Sequence, residues 1–269
     1  MIKITATTII VSDVDLLNWC IYNAHRRAGL MEGYELEWLI ILADARENTI
    51  GYCEEIQKMV PEMNLKYVVH KEKTEKQIPD KTQRFLHNLY ACWNMGYEHA
   101  DSEWVVRMGS DQYFSRQWLY YLMRAAENYG KEYVYHCLTV ESPAAVHSRH
   151  PIMNYGTTWQ DFDERRWDQY CNDVQHRYSS IIVHTPVQAG LYHSHPTRGT
   201  QLRPDGVTWL QAKEVWEKHG PMSDDINEEG VTGDVSYMDK LYDNGIAGLQ
   251  VPCSLSYHLV RGESRDVQE

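Results

Sequence analysis

The sequence lacks the features that mark several broad classes of protein. Its six cysteines form no CxxC pair, and their density is far below that of small disulfide-bonded secreted domains. No window approaches the roughly 18–20 uninterrupted apolar residues of a membrane span, and the N-terminal residues do not combine a basic segment with a long apolar stretch. We therefore expect a soluble, cytoplasmic protein whose cysteines are reduced and mostly buried.

Positive charge is also scarce. The chain has 26 Lys and Arg against 38 Asp and Glu, a formal net charge of −12, which argues against a general nucleic-acid-binding surface. No internal repeat, low-complexity tract or Pro/Gly/Ser-rich linker divides the 269 residues. The length suits one domain over residues 1–269, and a chain of this length can bury a sizeable hydrophobic core.

The first 140 residues alternate between strand-like and helix-like hydrophobic patterns, which is typical of βα units around a largely parallel sheet. Five predicted strands cover residues 3–12, 34–44, 64–71, 103–108 and 132–140. Four predicted helices cover residues 15–29, 49–60, 81–100 and 117–129. Gly29 and Pro61 provide the stop signals for the first two helices.

The pattern changes in the second half of the chain. Between residues 141 and 205 the periodicity weakens while His, Arg, Tyr and Trp become frequent. A long irregular segment in a compact domain is usually functional, so we expect this one to shape a binding site with aromatic stacking surfaces. Regular patterns return as a strand-to-helix element at 206–220, a helix at 232–245 and a closing strand at 246–260.

Polar side chains follow three of the predicted strands. Ser12 and Asp13 follow the first, Asp44 ends the second, and Ser110 and Asp111 follow the fourth. Parallel α/β sheets bind ligands outside the carboxyl ends of their strands, so we expect these groups to share one edge. Carboxylates there suit a divalent cation or a nucleotide. The competing interpretation is that the aspartates are only turn and cap residues.

The order of these motifs resembles the family 2 glycosyltransferases, nucleotide-sugar enzymes of the GT-A fold. The stretch "ELEWLIILADARENT" looks like the family's second strand with its acidic end, and residues 82–119 look like its helix, strand and metal loop. Residues 206–264 are similar to its acceptor-side half. The resemblance implies a GT-A-like (Rossmann-like) α/β fold, a mostly parallel central sheet flanked by helices, with a nucleotide-sugar-binding half at 1–140 and an acceptor-side half at 141–269.

The metal loop departs from the family's Asp-X-Asp pattern. Gly109, Ser110 and Asp111 stand in its place, so the first acid is missing and Asp111 alone matches. The resemblance implies that Asp111 binds Mn²⁺ or Mg²⁺ and that His258 is a further metal ligand, with a diphosphate and water completing the coordination. A lone histidine after an apolar strand is equally explained as a satisfied core or surface residue.

The stretch "GVTGDVSY" places Asp234 where the family has its catalytic base. Gly233 departs from the family's more usual Glu-Asp pair. The resemblance implies that Asp234 takes the proton of the acceptor hydroxyl. An acid in the first turn of a helix is also explained by the helix dipole alone.

The donor is expected to contact residues from both ends of the chain. Six residues make up the expected nucleoside and diphosphate site: Ser12, Asp13, Asp44, Arg84, Ser110 and Arg261. The aspartates would hold the base and ribose, and the arginines would neutralise phosphate oxygens. For Arg84, a solvated helix face is the alternative.

Together these expectations describe a hexosyltransferase-like enzyme that moves a sugar from a nucleoside diphosphate donor to a hydroxyl of a glycan or other acceptor, with inversion. A modified nucleic-acid base is a less favoured acceptor because the chain is acidic. A nucleotidyltransferase is one alternative, against which "VSDVDLLNW" has no glycine for a phosphate loop. The other is a non-catalytic nucleotide- or sugar-binding module, which the missing acid favours and the presence of Asp234 and His258 disfavours.

Overall fold

The computed structural model describes residues 1–10, 15, 18–43, 47–144, 152–178, 192–195, 199–202, 208–223 and 233–259. The strands are β1 Ile2–Ile10, β2 Tyr34–Ala43, β3 Leu65–His70, β4 Trp104–Arg107, β5 Gln112–Phe114, β6 Tyr133–Glu141, β7 Tyr192–His195, β8 Gly199–Leu202, β9 Trp209–Ala212 and β10 Ala247–His258. The helices are α1 Asn23–Arg27, α2 Glu47–Met59, α3 Lys81–Glu98, α4 Trp118–Tyr129, α5 Glu164–Tyr178, α6 Lys213–His219 and α7 Gly233–Asp243. A π-helical turn, Asn18–Tyr22, leads into α1, and a 3₁₀ turn, Pro61–Met63, follows α2.

An eight-stranded sheet forms the centre of the fold, in the order β3-β2-β1-β4-β9-β6-β10-β5. The strands β1, β2, β3, β4, β6 and β10 run in one direction, while β9 and β5 run in the other. Strands β7 and β8 pair separately as a two-stranded sheet. The predicted α/β fold with a mostly parallel sheet is confirmed.

Strands β1 and β2 are buried on both faces over most of their length. Residues 4–10 of β1 and 38–43 of β2 are all buried, and both strands are rich in Ile, Leu and Thr, as strands covered on both sides usually are. Helix α1 ends at Arg27, two residues before the predicted stop signal Gly29, whose φ of +70° lies in the left-handed region where glycine carries no steric penalty.

The interpretation of residues 141–205 as an irregular segment is wrong for its central part, which contains the fifteen-residue helix α5. Helix α5 is mostly polar and buries only a narrow stripe that includes Trp167 and Cys171, so its apolar period is easily missed. A capping signal was nevertheless present, because Asp163 accepts a hydrogen bond from the Arg166 backbone N–H.

The aromatic residues around α5 form a second core rather than an open stacking surface. Tyr155 and Trp167 are buried and contact Tyr257 of β10, with ring centroids 5.5 and 5.6 Å apart, respectively. These two rings are therefore not available to stack on a sugar.

The remaining global expectations concern the cysteines and membrane spans. All six cysteines lie within the described residues and are buried, as predicted, and none of them forms a disulfide. Within the described ranges, no helix combines the length and apolar character needed to cross a membrane.

Candidate active site

The carboxyl ends of the parallel strands bring several functional groups to one edge of the sheet. Arg107 ends β4, Glu141 ends β6 and His258 ends β10. The antiparallel strand β5 begins at this edge with Gln112, which pairs with His258. Asp111 directly precedes it, so the metal ligands predicted from sequence do come together.

His258 lies between two carboxylates. Its Nε2 is 3.2 Å from Oδ1 of Asp111, and its Nδ1 is 2.8 Å from Oε2 of Glu141. Glu141 was not among the site residues predicted from sequence. A carboxylate directly after the apolar strand 132–140 was the signal that could have revealed it, since charged residues are rarely buried without a partner.

The charge state of His258 follows from these neighbours. Desolvation is the largest single influence and lowers the pKa of His258, but the charges and hydrogen bonds of Asp111 and Glu141 together raise it to about 10. The ring therefore carries both protons at neutral pH and donates one to each carboxylate. A cation that binds Nε2 has to displace the proton there. The Nδ1–H can still donate to Glu141, which keeps the ring in its orientation.

Asp111 and His258 fit a divalent cation as two adjacent ligands. Neighbouring ligands of a six-coordinate ion with bonds of about 2.1 Å lie about 3 Å apart, close to the 3.2 Å observed. No group of three or more His, Cys, Asp or Glu side chains in the described part of the chain is arranged to hold a metal. The protein side of such a site is thus partial, and oxygen atoms of a bound diphosphate and water would have to complete it.

Gln112 fixes the loop that carries Asp111. Its Oε1 accepts a hydrogen bond from the Gly109 N–H at 2.8 Å and another from the Thr208 hydroxyl, and its Nε2 donates to Ser256 Oγ at 3.2 Å. The fully buried amide therefore supports the loop internally. Ser110 lies half-buried in the same loop, and its donor contact stays a prediction.

Asp234 lies in the first turn of α7, as predicted. The Tyr90 hydroxyl on α3 donates to its Oδ1 at 2.8 Å, and Nη2 of Arg107 lies 3.9 Å from its Oδ2. Arg107 thus links Asp234 to the sheet edge that carries the His258 pair. Sequence reasoning missed both partners, although an arginine at the end of the buried strand 103–108 was a visible signal.

The residue before Asp234 has to be small. A Cβ on Gly233 would lie 2.0 Å from the Ser223 carbonyl oxygen and 3.0 Å from ring atoms of Tyr90. Backbone cannot yield as a flexible side chain can, so this contact explains why glycine stands where the resemblance leads one to expect glutamate. The same packing places Tyr90 beside Asp234.

We expect Gly233→Ala to destabilise the protein by about 1–3 kcal/mol, the usual cost of overpacking. Gly51→Ala is the matched control, because Gly51 lies inside α2 with nothing within 4 Å of an added Cβ. The control should gain about 0.5–1 kcal/mol from helix propensity. Thermal melting of both variants checks this, and equal melting temperatures would contradict the packing argument.

The structure says less about the other residues that were predicted to bind the nucleotide-sugar donor. Arg84 donates from Nη1 to the carbonyl of Ile78 at 2.8 Å, which anchors the loop before α3. Its phosphate contact stays a prediction. Four further predicted residues lie outside the described residues: Ser12, Asp13, Asp44 and Arg261.

The model of one protein family matches more than half of the chain. Residues 15–184 match the model of glycosyl transferase family 2. The chain belongs to this family. The resemblance inferred from sequence is thereby confirmed, while the individual roles of the site residues stay predictions. No curated protein sequence matches the chain.

Solved structures of glycosyltransferases share the fold. The mannosyltransferase PcManGT from Pyrobaculum calidifontis, in complex with GDP-Man and Mn²⁺, aligns with 97% of this chain at 14% identity and a TM-score of 0.57. Residues 1–349 of S. aureus TarS align with 96% at 12% identity and a TM-score of 0.57. GalNAc-T7 with UDP, GalNAc and Mn²⁺ aligns with 96% at 9% identity and a TM-score of 0.56. The chain spans 57%, 60% and 44% of these structures, respectively.

Proposed function

We propose that the chain transfers a sugar from a nucleoside diphosphate donor to an acceptor hydroxyl with inversion. Two contacts at one edge of the sheet carry the proposal. Asp111 lies beside His258, and Arg107, at the end of β4, lies beside Asp234. Membership of glycosyl transferase family 2 supports the reaction class. Complexes of fold neighbours with GDP-Man and with UDP support the donor class.

The proposed reaction is a single displacement. Asp234 accepts the proton of the acceptor hydroxyl while that oxygen forms a bond to the anomeric carbon. The bond from the anomeric carbon to the diphosphate oxygen breaks at the same time, and the diphosphate leaves with the electron pair. Attack from the face opposite the leaving group inverts the anomeric configuration.

Asp111 and His258 are the proposed holders of Mn²⁺ or Mg²⁺. A divalent cation bound there would stabilise the negative charge that develops on the leaving diphosphate. Glu141 would keep the His258 ring in place through its hydrogen bond to Nδ1. Ser12, Asp13, Asp44, Ser110, Arg84 and Arg261 remain the proposed contacts of the nucleoside and phosphates.

A panel of nucleotide sugars tests the proposal. GDP-mannose, UDP-N-acetylgalactosamine and their common relatives would each be incubated with the protein and Mn²⁺, with and without a chelator. We expect metal-dependent release of the nucleotide from at least one donor, with water taking the sugar where no acceptor is supplied. Binding without release would favour the non-catalytic binding module, which the glycine at position 109 also favours. Release of pyrophosphate from a nucleoside triphosphate would favour a nucleotidyltransferase.

The substitution Asp111→Asn should abolish the part of donor affinity that depends on the metal, because a neutral amide is a poor ligand for a hard cation. Calorimetric titration with the donor, with and without Mn²⁺, measures that part. Asp101→Asn is the matched control, since Asp101 is exposed before the opposite end of β4. Equal metal-dependent affinity in wild type and Asp111→Asn would remove the assignment.

A further inference from the structure

Arg107 is a buried cation with an unusual setting. It is only 5% exposed and lies between two indoles, its guanidinium carbon 4.4 Å from the Trp93 ring centroid and 4.1 Å from that of Trp209. Trp209 is itself fixed, because its Nε1 donates to the Tyr97 hydroxyl at 2.8 Å. The guanidinium is therefore held in one plane by rigid aromatic packing.

The hydrogen-bonding capacity of Arg107 is largely unused. Its Nε and Nη1 are buried, and neither has a hydrogen-bond partner among the residues that the structure describes. Its Nη2 faces the Asp234 carboxylate at 3.9 Å, beyond hydrogen-bonding distance but within that of an ion pair. Burying a charge with so little compensation is costly, and a buried ion pair is weak evidence for a stabilising role. A functional role explains the arrangement better.

Asp234 is held from two directions by elements other than its own helix. Tyr90 on α3 donates to Oδ1, and Arg107 at the end of β4 attracts Oδ2. A carboxylate that served only to start α7 would need neither contact, because the helix dipole and N–H groups are sufficient for that purpose. Two fixed partners instead define the direction in which the carboxylate points.

We propose that Arg107 and Tyr90 are positioning residues that orient the Asp234 carboxylate toward the acceptor hydroxyl. The inference rests on the proposed function of Asp234 as the base. It predicts that both residues influence the transfer step through Asp234 and have little influence on donor binding.

A double-mutant cycle tests this coupling. Arg107→Met keeps an apolar side chain between the indoles but removes the cation. Combined with Asp234→Asn, it gives four proteins whose single-turnover rates would be measured with Mn²⁺ and the panel donor that turns over fastest. We expect Arg107→Met to slow transfer about tenfold in the wild-type background and less than about twofold in the Asp234→Asn background. Donor affinity by calorimetry should be unchanged.

Two further variants distinguish orientation from packing. Arg107→Lys restores the positive charge and should recover part of the rate lost in Arg107→Met. Tyr90→Phe removes a single hydroxyl and should not disturb folding. It therefore still tests the positioning role if the variants at Arg107 do not fold. Its matched control is Tyr67→Phe on the edge strand β3, where the hydroxyl donates to Glu54 at 3.1 Å. Tyr90→Phe should slow transfer and lose that effect in the Asp234→Asn background, whereas the control should leave the rate unchanged.

The outcomes separate the inference from the function on which it rests. Equal slowing by Arg107→Met in both backgrounds, or a lower melting temperature with an unchanged rate, would overturn the positioning role and leave Asp234 as the base. Near-normal transfer by Asp234→Asn alone would remove the base, and the positioning role with it.

Discussion

Asp234→Asn should slow glycosyl transfer by about 10²–10⁴-fold, the usual contribution of a general base. Asparagine has nearly the same size as aspartate and can still accept the hydrogen bond that the Tyr90 hydroxyl donates. It cannot take a proton from the acceptor. The loss should therefore fall on the transfer step, and donor affinity should stay close to that of the wild type.

If Asp234 serves only to start α7, Asp234→Asn should lower stability rather than the transfer rate. Losing the favourable contact of a carboxylate with the dipole of α7 costs about 0.3–1 kcal/mol and would leave transfer largely intact. We would measure the melting temperature and the single-turnover rate on the same preparation. Asp173→Asn, an exposed position on α5, is the control for a charge change alone. Near-normal transfer by Asp234→Asn would leave the inverting mechanism without its central residue.

Five of the six strands up to residue 141 were predictable because their hydrophobic patterns are strong and local, whereas the three-residue strand β5 was missed. The runs in β1 and β2 are long enough to be buried on both faces. The position of Asp111 beside His258 followed from strand ends together with the family resemblance. Neither signal required knowledge of which strands are neighbours.

The neighbours of the site residues depend on strand order, which sequence patterns do not specify. Glu141 meets His258 because β6 and β10 are adjacent in register, although the two residues are 117 positions apart. Arg107 meets Asp234 because both contact α3, Arg107 through Trp93 and Asp234 through Tyr90. The pattern of a single sequence shows where these elements end but not which of them are neighbours.

Arg27→Met should lower the free energy of unfolding by about 3 kcal/mol, the largest stability effect we expect from a single substitution here. Arg27 is 4% exposed at the end of α1 and joins that helix to α5. Its Nη1 lies 2.6 Å from Oδ1 of Asp168, and its Nη2 contacts Glu164. Methionine can still pack over Tyr113, whose ring centroid is 4.7 Å from the guanidinium carbon.

The expected loss of about 3 kcal/mol lies at the low end of the range of about 3–5 kcal/mol that is usual when one partner of a buried ion pair is removed. Asp168 keeps a second partner, Arg116, at 3.1 Å, and Glu164 is half-exposed and remains solvated. For a chain of this length the loss corresponds to a melting temperature lower by roughly 6–12 °C. Arg26→Met is the matched control: Arg26 is 53% exposed and pairs with Glu164 at 3.4 Å, so its loss should change stability by no more than about 0.5 kcal/mol.

The pH dependence identifies the source of this stability. Desolvation alone would raise the pKa of Asp168, but its hydrogen bonds and charge interactions with Arg27 and Arg116 hold it below the ordinary value. A carboxyl group whose pKa is lower in the folded protein than in the unfolded chain stabilises the folded state at pH values above the unfolded pKa, about 3.9. This stabilisation is lost as the pH falls through the pKa of the folded protein. The difference in melting temperature between wild type and Arg27→Met should therefore have its full size at pH 7 and become smaller below about pH 4. A gap that stays constant over this range would show that Arg27 stabilises the protein through packing on Tyr113 rather than through its ion pair.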